Sequence, residues 1–169
     1  MNIAATPEPV YRLMENNTDA LEAIDSLMAV AQHDIMIFDA SPQLLRTRDF
    51  ARPQRIDRLK TLLLANRSNR IRIALHEAAG IESELARLVA LKGLFSTQLF
   101  IQRTVGQARE AKDVMIIADQ AHFWRKPYFE HPRSVLTLYQ PENAQPFVDR
   151  FEQIWESTEF AAIGVAVGL

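Results

Sequence analysis

Two kinds of apolar spacing alternate along the chain, and their order leaves few folds open. Ile35-Met36-Ile37-Phe38-Asp39 is a short β-branched and aromatic run closed by Ser41-Pro42, the pattern of a buried strand. Ile71, Ile73 and Leu75 alternate with Arg72 and Ala74, the two-residue period of a strand. Around these runs the apolar residues recur at helical spacing: Leu21, Ile24, Leu27, Met28 and Ala31; then Ile56, Leu59, Leu62 and Leu63; then Leu85, Leu88, Val89 and Leu91. Four strand-like runs follow, Gln98 to Gln102, Val114 to Ala118, Ala121 to Arg125 and Ser134 to Tyr139. A last helix opens after Pro141 with Phe147, Val148, Phe151, Ile154 and Trp155 on one face, which makes Trp155 an expected core residue. The order predicts an α/β (α+β) fold, a mixed β-sheet flanked by helices.

Local signals set the expected boundaries. Asp19 with Glu22 three residues on reads as the capping box of the first helix, and Gly93 as the stop of the third. Only Asp119-Gln120 separates the second and third of the later runs, which predicts a hairpin. The stretch from Gln43 to Gln54 is polar and predicts no element. Pro7, Pro9, Asn16 and Asn17 mark residues 1–17 as a weakly ordered lead-in or an edge element, leaving 18–169 as one domain.

The 169 residues suffice for a core that buries roughly 70% of the unfolded surface without metals or cross-links. Cysteine is absent, which excludes disulfides, a cysteine nucleophile and thiolate metal sites. No apolar run reaches the roughly 18 residues of a membrane span and the first residues lack a signal-peptide pattern, so a cytoplasmic protein is expected, with no membrane partner. His33, His76, His122 and His131 fall at no metal-binding spacing, and no phosphate-binding glycine loop or serine-nucleophile motif occurs; the chain calls for no cofactor. Arg103-Thr104-Val105-Gly106-Gln107-Ala108 has the glycine spacing with which acetyltransferases offer amides to coenzyme A, but the strand at Val114 begins too soon for the long helix such a loop opens.

Charge is unevenly placed. Between Arg46 and Arg72 stand nine basic residues against only Asp49 and Asp57, in a chain whose net charge is -2, and Glu142, Asp149, Glu152, Glu156 and Glu159 crowd the last helix and its end. Arginine's planar fork suits phosphate or carboxylate, so the window is either an anion-binding face or one half of pairs made within the fold or across a dimer. The overall negative charge argues against nucleic acid as a partner.

Lys112-Asp113-Val114-Met115-Ile116-Ile117-Ala118-Asp119 is a strand ending in an acid, followed by a return strand and a closing helix. In that order of elements the chain resembles one half of a phospholipase D-like protein, whose motif HxKxxxxD supplies a nucleophilic histidine, a phosphate-clamping lysine and a strand-end acid. Here the acid position is Asp119, the lysine position is Val114 and the histidine position is Lys112. Where that family continues with glycine, serine and asparagine, this chain has His122-Phe123-Trp124-Arg125-Lys126. The resemblance implies a degenerate, non-catalytic member, since a phosphohistidine cannot form without the histidine. The segment from Phe147 onward also resembles a bacterial domain found alone or appended to acetyltransferases, which implies an accessory role with an acetyltransferase as partner.

The reading that follows is an accessory domain binding a phosphorylated ligand or a protein partner through Lys112, Asp119, Arg125, Lys126 and His76. An enzyme of unassigned class using His76, Glu77 or His122, and a purely structural dimerisation module, stay open beside it. A homodimer is expected on two grounds. Phospholipase D-like sites are built from two such halves, and the uncharged run Ala161 to Leu169, with Ile163, Val165 and Val167 alternating, needs cover from the fold or a second subunit.

Overall fold

In a computed structural model, Ala5 and residues 7–163 are described. The elements run β1 (Val10–Met14), α1 (Asn17–Val30), β2 (Asp34–Asp39), α2 (Pro42–Thr47), α3 (Pro53–Ala65), β3 (Arg70–Leu75), α4 (Ile81–Glu84), α5 (Ala86–Leu94), β4 (Leu99–Thr104), β5 (Val114–Ala118), β6 (His122–Lys126), β7 (Ser134–Leu138), α6 (Pro141–Glu156) and β8 (Thr158–Phe160). All eight strands form one sheet in the order β1-β7-β6-β5-β2-β3-β4-β8. β2, β3 and β4 run parallel and every other pairing is antiparallel, so the sheet is mixed, as expected.

Helices cover both faces. Ile35, Ile37, Ile71, Ile73, Ile116 and Trp124 pack under the helices from α1 to α5, while Met36, Phe38, Ala74, Met115, Ile117 and Phe123 pack under Ala144, Val148, Phe151 and Ile154 of α6. Because alternate side chains of β2 and β5 meet apolar helices on both sides, these strands read as unbroken apolar runs. Among the described residues no helix is long and apolar enough to cross a membrane.

Several boundaries differ from the sequence reading. The cap of α1 is Asn16, whose side chain accepts from the Asp19 N–H at 2.8 Å, so Asp19 is the third helical residue and not the cap. α2 lies inside the stretch expected to be structureless, capped by Ser41 with Pro42 in the first turn; at six residues it is too short to show a helical period. Gly93 lies within α5; among the described glycines only Gly80 and Gly106 take the left-handed conformation that ends a helix. Residues 10–14 are an edge strand paired to β7 alone. At the other edge β8 pairs with β4, an element no sequence signal announced.

The fully buried tryptophan is Trp124 on β6; Trp155 is half-buried at the end of α6, stacked on Phe151 and on the Arg72 guanidinium. Arg72 also forms a two-pronged bond to Glu152 of α6, so the basic window and the acidic helix meet within one chain. Ala161 and Ile163 pack against the main core; Val165 and Val167 lie outside the described residues.

Candidate functional site

β2 and β3 finish side by side, and β2 is also where the sheet switches from parallel to antiparallel neighbours. In open sheets such strand ends favour ligands. A depression of about 220 Å³ opens there, lined by Ala40, His76, Arg109, Ala111, Lys112, Asp113 and Phe129. His76, just past β3, sits edge-on to Phe38, with Nδ1 2.6 Å from the Thr104 hydroxyl and Nε2 2.6 Å from the Ala111 carbonyl. Since a carbonyl only accepts, Nε2 carries a hydrogen, and both ring nitrogens are occupied. Glu77 is bound by Arg109, and Asp113 by Arg150 at 2.6 and 2.8 Å.

At the same end, on the face under α1 to α5, lies a buried charged cluster. Asp39 closes β2 and is inaccessible; Arg48, just after α2, donates from Nε to its Oδ2 at 3.3 Å, and the Ala40 N–H donates to its Oδ1 at 2.8 Å. The Arg48 guanidinium lies 5.4 Å from the centre of the Trp124 ring. Lys126, two residues on from Trp124 and so on the same face, is 6% exposed. The register that pairs Arg125 with Val135 brings Ser134 beside Lys126. Burial pushes the Asp39 carboxyl up in pKa, with Arg48 opposing. Burial also brings the Lys126 ammonium down, the Arg48 charge adding to the effect and Asp39 resisting it. Arg48 Nη2, Trp124 Nε1 and Ser134 Oγ are sealed from solvent without a hydrogen-bond partner. An unmet buried donor costs about 1–3 kcal/mol, so these three, one of them on Arg48 itself, leave the cluster with unspent donor capacity.

The five residues singled out from sequence fall in three places. Lys112 and His76 share the depression and Lys126 lies at the same end of the sheet. Arg125 projects from the other face, its guanidinium 4.7 Å from the Phe147 ring. Asp119 is at the opposite end, where its carboxylate accepts from the N–H groups of Gln32, His33 and Asp34 at 2.9, 2.7 and 3.1 Å and ties the β5–β6 turn to the start of β2. Asp39, Arg48, Trp124 and Ser134 were missed. An acid closing an apolar strand was a readable signal, and it was assigned to Asp119 when Asp39 carries the same one. The segment Gly106–Glu110 is a single 3-10 turn, which is not the long helix a coenzyme A loop opens. Among the described residues no group of three or more histidine, aspartate or glutamate side chains could hold a metal ion.

Residues 16–162 match a family model described as Domain of unknown function (DUF7931). The chain belongs to the DUF7931 family. None of the curated proteins matches its sequence. Solved structures do match. Nuc from Salmonella typhimurium, a phospholipase D family member, is 16% identical with a TM-score of 0.59 over 91% of this chain and 99% of its own. NucT from Helicobacter pylori is 13% identical with a TM-score of 0.60 over 91% and 100%. TrmBL2, an archaeal chromatin protein whose structure shows a novel mode of DNA binding, is 16% identical with a TM-score of 0.61 over 90% of this chain, which spans 55% of that protein's length. At such identities the likeness carries the fold, and this DUF7931 chain has a phospholipase D-like fold.

Proposed function

We propose that this DUF7931 chain is a non-catalytic, phospholipase D-like accessory domain that binds a phosphate-bearing ligand at the end of β2 and β3. The observation that carries the reading is the set of unmet buried donors on Arg48, Trp124 and Ser134 beside the Lys126 ammonium, at the same end of the sheet as a depression rimmed by Lys112 and His76. Two buried cations facing one carboxylate favour an oxyanion, and arginine and lysine are the side chains that hold phosphate. Cleavage is not part of the proposal, because Lys112 and Val114 stand where a phosphohistidine mechanism needs histidine and lysine. The enzyme alternatives are weaker. His76 has both nitrogens engaged, Glu77 is bound by Arg109, and His122 accepts from the Tyr139 N–H. A cytoplasmic setting and an acetyltransferase as the protein this accessory domain serves belong to the same proposal.

The test is thermal unfolding with a panel of phosphate esters, nucleotides and coenzyme A, paired with an assay on bis(p-nitrophenyl) phosphate. A bound ester at 100 times its dissociation constant stabilises the fold by about 2.7 kcal/mol. Lys112→Ala, on the rim, is expected to reduce that stabilisation while leaving the unliganded fold intact. Turnover of the diester that Lys112→Ala abolishes, or a panel with no stabiliser, would overturn the reading.

A further inference from the structure

The sheet is unevenly covered on its α6 face. α6 lies over the strands from β4 to β6, and beside it Tyr11 and Leu13 of β1 are 69% and 51% exposed and Val135 of β7 is half-buried, while Thr137 between them is covered. A groove of about 440 Å³ runs along this boundary, lined by Tyr11, Phe123, Arg125, Val135, Glu142 and Phe147 among others. Exposed aromatic and aliphatic side chains of this size on one face are what interfaces are made of.

The charges in the groove identify the occupant. Arg125 stacks on Phe147 with its Nε buried and without a partner, and it makes no hydrogen bond or ion pair among the described residues. Glu142, in the first turn of α6, likewise has no hydrogen bond or ion pair among them. Elsewhere the arginines pair readily, as Arg72 does with Glu152 and Arg150 with Asp113. A cation and an anion that share one groove without meeting are complementary to the same groove turned around. A twofold axis repeats every contact, so one orientation satisfies both charges twice.

We propose that the open face of β6, β7 and β1 docks a second copy of this chain about a twofold axis, with Arg125 of each copy against Glu142 of the other and the two Tyr11 side chains covered between them. The surface lies on the face opposite the Asp39–Arg48–Lys126 cluster, so pairing here does not touch that cluster and does not depend on what it binds. The arrangement differs from one in which two copies join their sites.

Sedimentation velocity across a concentration series tests it. The intact chain is expected to run at twice its 19.3 kDa. Tyr11→Glu and Glu142→Arg, both at exposed positions, are each expected to weaken the dimer by about tenfold or more through like charges or a charge facing an apolar surface. Arg125→Glu combined with Glu142→Arg should restore it, since the crossed pair is then rebuilt with signs exchanged. Circular dichroism checks that each variant folds. A single-copy mass at every concentration, or a dimer indifferent to both Tyr11→Glu and Glu142→Arg, overturns the proposal. The groove would then belong to an extended peptide or a small ligand.

Discussion

Asp119 shows how one carboxylate can serve geometry instead of chemistry. It and Gln120 both take positive φ, at 56° and 55°, the conformation tight hairpin turns need, and its oxygens gather the amides that open β2. Asp119→Ala would leave those amides without their acceptor, and a loss of on the order of 3 kcal/mol is expected in urea denaturation, with Asp119→Asn losing less because one oxygen remains. His122 gives a second prediction. Its Nδ1 accepts from the Tyr139 N–H at 2.8 Å, and burial holds its pKa below the ordinary 6.5 while Asp119 pulls the other way. The unfolded chain therefore takes up the proton first, so stability falls as pH drops below 6.5 towards the folded value and levels off beneath it. Denaturation midpoints between pH 7.5 and 5 should show a component that His122→Gln removes. That a strand ends in an acid is legible in sequence; whether that acid meets cations or amides is not. β2 and β5 are antiparallel neighbours, so the acids that close them sit at opposite ends of the sheet, a consequence of pairing between distant segments.

At the level of elements, helices and strands with several periods were legible and short ones were not. α1, α3 and α6 each present a repeated apolar stripe, whereas α2 and β8 are too short to repeat anything. α6 also misled about its own end. Phe151 is inaccessible, but Trp155, one turn later, is only half-buried against the same core and stacks on Arg72. Trp124→Ala is accordingly expected to cost about 3–5 kcal/mol through a core cavity, and Trp155→Ala only about 1–2 kcal/mol. Equal losses in chemical denaturation would show that α6 carries more of the core than its burial implies.

Over the whole molecule much of the basic window is paired within the chain. Arg46, Arg48, Arg52, Arg55 and Arg72 pair with Glu84, Asp39, Asp49, Asp25 and Glu152, and Arg58 donates to the carbonyls of Met28 and Ala31. Little of that charge is left for phosphates, so binding to random-sequence DNA is expected to stay weaker than about 1 μM at roughly 0.15 M salt, which a fluorescence-anisotropy titration can check. The density of arginine was visible in the sequence; its partners, spread over α1, α4, α6 and β2, were fixed by the topology. The same topology sets an order of events during synthesis. β4 leaves the ribosome with its outer edge bare, and β8, which closes it, follows at the distance from Arg103 to Glu159, 56 residues later. At roughly 5–20 residues per second the growing chain carries that bare edge for about 3 to 11 seconds. An open edge is a template for another nascent chain. Misassembly between neighbouring polysomal copies is thus expected to start at β4, and slowing elongation after Thr104 should lower the soluble yield.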